Sequence, residues 1–268
     1  MKFSQTKSRK QLRQLRSAAA KPATVLVLSI GNTSLFGGAF SPDWRIAPFR
    51  LPAADLLSLP RYVPKQVHRA VVCSVVPALT PDVLRFIRRT WNVEPSVLTA
   101  DSRHGLTIGY RNPRDLGTDR LAAAIGARAA FPKRNIIVVD CGTATTITAL
   151  RQDGRILGGA ILPGLSLWSD MLARGTAQLP RIELRRPRMA LGRSPEEAIA
   201  SGIYFGHVGA IREMVQRVRR EAFGQGRCVV VGTGGHAPQF TPEKLFTVIE
   251  PNLILQGLHT FADNILTV

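Results

Sequence analysis

The chain has 268 residues, 45% of them hydrophobic, which is enough for one large domain or two of ordinary size. No apolar run is long enough to span a bilayer, which excludes a membrane-spanning protein. Lys and Arg number 36 against 18 for Asp and Glu, and the resulting charge of +18 attracts anions such as nucleotides or nucleic acid. The arginines are dispersed, without interleaved aromatic residues or zinc-finger spacing. General surface basicity is therefore the preferred interpretation, and nucleic acid is disfavoured as the main partner.

The cysteines and the first residues indicate the compartment. The chain has three cysteines, an odd number, and no two of them form a CxxC pair. Each lies in or beside an apolar run: Cys73, Cys141 and Cys228. That pattern disfavours a disulfide framework and a structural zinc site, and predicts a cytoplasmic protein. Residues 1–24 form a basic tail that has no acidic residue and lacks the apolar segment of a secretory signal. We expect this tail to be disordered, or to result from a start codon placed too early.

The first domain is predicted over residues 25–132. It opens with an apolar strand, a Gly31-Asn32-Thr33 turn and a second strand, and it ends at Pro132. The boundary to the second domain is expected near Lys133-Arg134. The other elements predicted in this domain are a third strand over 44–51, a strand over 69–76, a helix over 80–89, a short strand over 96–98 and a helix from Asp115 to Phe131.

The second domain is predicted over residues 133–268, and its first hairpin is the most informative stretch of the chain. The apolar run 136–139 ends in Asp140, and small, mostly hydroxylated residues follow before a return strand. Gly142 lets the backbone approach a ligand, and the turn can aim N–H groups and hydroxyls at an anion beside a cation held by the carboxylate. The alternative is an ordinary hairpin with a turn aspartate. The remaining elements are predicted as a glycine-rich loop over 158–164, helices over 165–173 and 195–223, a strand over 228–231, a turn over 232–235 and a closing helix over 252–266.

The strand, glycine turn, strand pattern occurs twice. Aligning residues 29–33 with residues 140–144 places Gly31 on Gly142 and Ser29 on Asp140, which indicates an internal duplication. The loops match neither the Walker A nor the GxGxxG pattern. We therefore predict an α/β fold of two duplicated actin-like, hexokinase-like (ribonuclease H-like) domains, with phosphates bound in a cleft between them.

Seven short motifs are distributed, in order, along nearly the whole chain after the tail. They are Ile30-Gly31-Asn32-Thr33; Ser74-Val75-Val76-Pro77; Tyr110 with Asn112-Pro113 and Gly117-Thr118-Asp119-Arg120; Asp140-x-Gly142-Thr143-Ala144-Thr145-Thr146; Gly158-Gly159 with Pro163-Gly164; Thr176-Ala177-x-Leu179-Pro180; and Thr233-Gly234-Gly235. Together these motifs resemble the type III pantothenate kinase family, which includes the Bvg accessory factor homologues.

The resemblance implies ATP-dependent phosphorylation of pantothenate to 4'-phosphopantothenate, the first step of coenzyme A biosynthesis. By position, Asp119 would accept the hydroxyl proton and Arg120 would bind the pantothenate carboxylate. Tyr110, Gly117 and Thr118 would line the same pocket. The resemblance also implies a homodimer with shared sites, in which Thr176 reaches the pantothenate of the neighbouring subunit.

The resemblance further assigns the nucleotide site. It implies ATP with Mg²⁺, and a monovalent cation, K⁺ or NH₄⁺, held by Asp140. The residues implied in ATP binding are Ser29, Ile30, Gly31, Asn32, Thr33, Ser34, Leu35, Phe36, Thr143, Gly234 and Gly235.

One position departs from the family pattern, which begins Asp-x-Gly-Asn-Thr and uses that aspartate to organise magnesium. Ser29 occupies it here and offers no charge to a hydrated divalent ion. The alternative function is therefore a catalytically impaired paralogue with a regulatory or binding role. A different sugar or acid kinase of the same superfamily is disfavoured by the segment from Tyr110 to Arg120. Out of context, Asp119 and Arg120 would be an acid that complements a helix dipole and a surface arginine. The five histidines show no metal spacing, and we assign them no chemistry.

Overall fold

The structure is a computed structural model, and it describes residues 23–41 and 43–265. Residues 1–22 of the predicted tail lie outside this range. The chain divides into two compact units: the first runs to Lys133 and resumes at Asn252, and the second is Arg134–Pro251. Within the described residues, no helix combines the length and the apolar character that a membrane crossing needs.

The first unit is built on a five-stranded sheet in the order β3-β2-β1-β4-β5. Strand β1 lies at its centre, antiparallel to β2 and parallel to β4. Apolar and β-branched residues dominate these strands, which suits a sheet covered on both faces. The strands of this unit are β1 (Val25–Ile30), β2 (Ser34–Phe40), β3 (Ile46–Pro52), β4 (Arg69–Ser74), β5 (Pro95–Val97) and, apart from this sheet, β6 (Thr107–Ile108).

The two faces of this sheet have different roles. Leu26, Leu28 and Ile30 of β1 pack in one buried cluster with Val83 and Ile87 of helix α1 (Thr80–Trp91). Because side chains alternate along a strand, Ser29 belongs to the opposite face. That face is covered by helices α2 (Thr118–Ala130) and α5 (Leu253–Asn264). The chain therefore places the end of β1 beside the first turn of α2.

The closing helix α5 packs in the first unit, not in the second domain, where the sequence analysis placed residues 252–268. Two glycines explain the packing. A Cβ on Gly126 of α2 would overlap the Leu253 carbonyl oxygen, and a Cβ on Gly257 of α5 would overlap the Ala122 carbonyl oxygen. The two helix backbones are thus in direct contact, an arrangement that only glycine permits here.

The second unit repeats the strand order of the first. Its five strands lie in the order β11-β10-β7-β8-β9, with β7 antiparallel to β8 and parallel to β10. Ser29 and Asp140 occupy equivalent places, each the next-to-last residue of the corresponding central strand. The topology therefore supports the duplication inferred from the two glycine turns. The strands are β7 (Asn135–Cys141), β8 (Ala144–Leu150), β9 (Arg155–Pro163), β10 (Cys228–Thr233) and β11 (Val248–Ile249).

The predicted glycine-rich loop over residues 158–164 is wrong for most of its length. Residues 155–163 form β9, which pairs with β8 from Ile156 to Pro163. Gly158 has a φ of +145° where the register shifts beside Ala149, so the glycine serves a bulge within a strand rather than a loop. Gly164 alone leaves the strand, and it precedes helix α3 (Leu165–Gly175).

The core of the second unit lies between its sheet and the long helix α4 (Pro195–Phe223). The predicted start of this helix is confirmed: the Ser194 hydroxyl accepts a hydrogen bond from the Glu197 N–H, and Pro195 occupies the first helical position. Ile199, Ile203 and Ile211 bury the apolar stripe of α4 against β7 and β8. This packing supports the hairpin that carries Asp140.

Candidate active site

The turn after β1 exposes the residues most suited to an anion. Asn32 and Thr33 are exposed, and the Gly31 N–H donates to the Ser34 carbonyl at 3.0 Å to close the turn. Ile30 and Leu35, both predicted to bind ATP, have their side chains in the core. They can therefore offer a ligand only backbone groups.

Two further predicted positions of this segment, Ser34 and Phe36, contact Arg50 of β3. The Ser34 hydroxyl accepts a hydrogen bond from Arg50 at 2.8 Å, and the Arg50 guanidinium lies 4.3 Å from the Phe36 ring centroid. This arginine adds positive charge close to the turn, which favours an anionic ligand.

Ser29 lies at the end of β1 beside a buried thiol. Its partner in the parallel register is Cys73 of β4, which is fully buried. Burial raises the pKa of the Cys73 thiol to about 12, against a smaller lowering by a hydrogen bond with Ser29. The strand end that would carry a carboxylate in the family pattern therefore carries a neutral hydroxyl and a neutral thiol.

Asp119 is the second residue of α2, and its environment suits a general base. Burial raises the pKa of its carboxyl group, while the Arg120 N–H and the Arg120 charge oppose the rise. The carboxylate accepts the Arg120 N–H at 2.7 Å. A Cβ on Gly117 would lie 2.6 Å from that carboxylate oxygen, so a larger residue there would displace the carboxylate from its present position.

Thr118 fixes the first turn of α2 to the end of β4. Its hydroxyl accepts a hydrogen bond from the Ser74 N–H at 3.0 Å and donates to the Ser74 carbonyl at 2.8 Å. Asp119 follows directly, so this pair of hydrogen bonds sets where its carboxylate lies.

Arg120 is buried although charged, and its guanidinium lies 5.7 Å from the ring centroid of Tyr110. Such an arrangement stabilises a cation over an aromatic face. The structure therefore brings together all five pocket residues that the sequence analysis predicted in the first unit: Tyr110, Gly117, Thr118, Asp119 and Arg120.

In the second unit, three glycine-rich segments meet around Asp140. Thr233 is the register partner of Asp140, and the His236 N–H donates to the Cys141 carbonyl at 3.0 Å. Gly234 has a φ of +84°, and a Cβ there would overlap the Asp140 carboxylate. The Asp140 carboxylate thus occupies the place that a side chain at position 234 would need, and the backbone conformation there is one that other residues adopt at a cost.

The third segment contacts the same hairpin at Thr143. The Gly164 N–H donates to the Thr143 carbonyl at 3.0 Å, and a Cβ on Gly164 would lie 2.8 Å from the Thr143 carbonyl carbon. A Cβ on Gly235, by contrast, would meet no described atom within 4 Å. The turn at Gly234-Gly235 therefore has one glycine packed on Asp140 and one that faces open space.

The described residues contain no group of three or more His, Cys, Asp or Glu side chains that could hold a metal ion. Asp140 is the carboxylate to which the sequence analysis assigned a monovalent cation, and it lies next to the last residue of β7. The Ser29 strand end does not supply the carboxylate that a divalent ion would prefer.

Thr176 lies at the end of α3 and is exposed on the second unit. Its hydroxyl donates to the Leu172 carbonyl at 2.8 Å and accepts the Leu179 N–H at 3.3 Å. This is the capping role that the residue type would predict alone. Its role in trans stays a prediction.

Comparison with known proteins identifies the family. The family model for type III pantothenate kinase matches residues 25–217. A type III pantothenate kinase of Legionella pneumophila is 37% identical over an alignment of 250 residues, and the alignment covers 89% of this chain and 98% of the relative. The chain belongs to the type III pantothenate kinase family. A Francisella tularensis member is 36% identical over 247 residues, covering 87% of this chain and 96% of that protein.

Solved structures confirm the fold class. A Baf-family protein from Campylobacter jejuni matches with a TM-score of 0.58 at 18% identity, covering 91% of this chain and 100% of that chain. An archaeal actin homologue in complex with ADP matches with a TM-score of 0.50 at 13% identity, again over 91% and 100%. The actin-like, hexokinase-like fold predicted from the sequence is therefore confirmed.

Sequence reasoning missed two buried groups. Cys73 directly precedes the Ser74 motif. Because side chains alternate along β4, Cys73 lies on the sheet face opposite to that of Val72, and Asp119 lies near that face. His207 received no role, yet it contacts Thr145 inside the glycine-threonine hairpin. A hydroxyl on the buried face of that hairpin was a signal that some polar partner had to reach it.

Proposed function

We propose that this pantothenate kinase transfers the terminal phosphoryl group of ATP to the primary hydroxyl of pantothenate. The observation that carries the mechanism is the buried Asp119 carboxylate at the start of α2. Burial raises the pKa of this carboxyl group, and a carboxylate with a higher pKa is a stronger base at neutral pH. Asp119 would accept the hydroxyl proton as the new O–P bond forms and the bond to the ADP oxygen breaks.

Arg120 would bind the pantothenate carboxylate through its forked guanidinium. Its cation–π contact with Tyr110 limits the orientations of the side chain before the substrate arrives, which lowers the entropy cost of binding. Thr118 and Gly117 would keep the reacting carboxylate at a fixed place relative to the end of β4.

The two glycine turns would hold the nucleotide. The exposed Asn32 and Thr33, with the backbone of residues 29–36, would contact phosphates, and Thr143 with Gly234 and Gly235 would complete the site. Asp140 would hold K⁺ or NH₄⁺, which would neutralise phosphate charge. Ser29 offers Mg²⁺ no carboxylate, so the ATP phosphates would be the main ligands of this ion.

A homodimer is part of the proposal. The second unit exposes Ile161, Met171, Met189 and Leu191, each at more than 60%. Exposed apolar side chains of this kind would contribute to the interface of the dimer that the family resemblance implies. Thr176, close in sequence to Met171, would then contribute to the pantothenate site of the partner. We place the enzyme in the cytoplasm, where its cysteines, all free, would stay reduced.

The test is an ADP-release assay with pantothenate, ATP, Mg²⁺ and K⁺. Wild-type protein is expected to turn over, and Asp119→Asn is expected to lose at least about 100-fold in kcat, the usual effect of removing a general base. Arg120→Lys, which keeps the charge but not the fork, is the matched control and should raise mainly the KM for pantothenate. Absence of wild-type turnover at high protein concentration would refute the proposal.

A further inference from the structure

The hairpin that carries Asp140 and Thr143 has a buried polar anchor. Thr145, the second residue of β8, is the register partner of Cys141 and is 1% exposed. Its hydroxyl lies 3.0 Å from Nε2 of His207, which is 0% exposed in the middle of α4. This side-chain hydrogen bond joins the hairpin to the core helix of the second unit.

The surroundings of His207 define its protonation. Its Nδ1 is buried and has no hydrogen-bond partner among the described residues. Burial lowers the pKa of His207 to about 4, and His236 adds a smaller lowering. The imidazole is therefore neutral at pH 7. Nε2 of the neutral ring can donate to the Thr145 hydroxyl or accept from it, according to the tautomer.

The groups packed around His207 come from the same segments that meet at Asp140. Its ring lies 5.6 Å from that of Phe240, which follows the Gly234-Gly235 turn, and 6.2 Å from that of Trp168, which follows Gly164. The imidazole thus contacts the hairpin itself and residues that follow the other two glycine-rich segments. A change at this position would be transmitted to the loops that surround Asp140.

We propose that His207 is a positioning residue for the nucleotide side of the reaction, acting through the Thr145 hydroxyl to fix the turn that places Asp140 and Thr143. The inference rests on the proposed roles of those two residues in binding the cation and ATP. His207 itself touches no substrate. The hydrogen bond pairs the Thr145 hydroxyl with Nε2 of the neutral imidazole, which satisfies two buried polar atoms at once.

The experiment is a double-mutant cycle with Thr145→Val and His207→Phe. Valine keeps the shape of threonine and removes the hydroxyl. Each single variant is expected to weaken ATP affinity about three- to tenfold, the worth of one buried hydrogen bond. The double variant should be no weaker than the worse single variant, because both changes remove the same bond. Thr145→Ser, which retains a hydroxyl, is the conservative control and should bind ATP as the wild type does.

ATP affinity is measured by titration calorimetry with K⁺ present, and KM values for ATP and pantothenate by the ADP-release assay. The KM for pantothenate should change less than twofold in every variant. Unchanged ATP affinity in both folded single variants, or equal weakening for both substrates, would overturn the inference and leave a purely structural hydrogen bond. Calorimetry also separates the two proposals: a wild type that binds ATP without phosphorylating pantothenate would contradict the proposed function and not this inference.

Discussion

Replacement of Gly257 by alanine tests the contact between α2 and α5. A Cβ at this position would overlap the Ala122 carbonyl oxygen and would lie 2.8 Å from its carbon and 2.9 Å from the Gly126 N atom. Ordinary van der Waals contact begins at 3.4 Å. All three neighbours are backbone atoms, which cannot rotate away, so the helices must separate.

The cost can be estimated from two opposing effects. Forcing apart a packed helix pair costs about 3 kcal/mol, the upper part of the usual range for overpacking. Leu253, Leu255 and Leu258 of α5 are fully buried and would lose part of their packing. Alanine offsets about 0.8 kcal/mol of this through its higher helix propensity. We therefore expect Gly257→Ala to lower the free energy of unfolding by about 2 kcal/mol.

Urea unfolding followed by circular dichroism measures the change, and Gly202→Ala is the matched control. Gly202 lies in α4, where an added Cβ would meet no described atom within 4 Å. There the same substitution should raise the free energy of unfolding by about 0.5–1 kcal/mol. Equal stability of Gly257→Ala and the wild type would refute the packing argument. The variant should also lose activity, because α2 carries Asp119 at its first turn.

Three further predictions follow from the two units. Ser29→Asp should raise kcat at fixed Mg²⁺; an unchanged kcat in an active enzyme would show that serine is not a defect. Because His207 has its pKa lowered from 6.5 to about 4, the unfolded chain binds a proton at higher pH than the folded chain does. Stability should therefore fall as pH drops, by roughly 2 kcal/mol between pH 7 and 5 from this group, and His207→Phe should remove that part of the slope in urea titrations. Sedimentation should give twice the chain mass, and a monomer at micromolar concentration would contradict the role of Thr176 in trans.

The turns of the site were predictable because their signals are local. A strand that ends in Ser29 or Asp140, followed by glycine and hydroxylated residues, fixes a hairpin through neighbours a few residues away. The same holds for the start of α4, where Ser194 and Pro195 act on the first helical turn. Each of these elements needs no distant partner to be recognised.

Features that depend on distant partners could not be predicted in this way. In the sequence, Gly257 is a residue of low helix propensity. Only the structure shows that the backbone of Ala122 packs directly against it. Gly158 and Gly159 read as a loop, because nothing in their sequence shows that β8 is there to pair with them. His207 reads as one more core histidine until Thr145, 62 residues earlier, supplies its hydrogen bond.

The duplicated topology gives the Ser29 departure a physical meaning. Ser29 and Asp140 hold equivalent places in two sheets with the same strand order, yet their neighbours differ. Beside Ser29 lies the buried Cys73 thiol, whose pKa is raised by burial and further by Asp119. A carboxylate at position 29 would add a second negative charge to this face and would raise the pKa of Asp119 as well. Ser29→Asp should therefore do two things at once: supply a ligand for Mg²⁺, and shift the acid limb of the pH–rate profile to higher pH. A gain in kcat without that shift would show that the two carboxylates do not interact, and that the first loop and the catalytic base are independent.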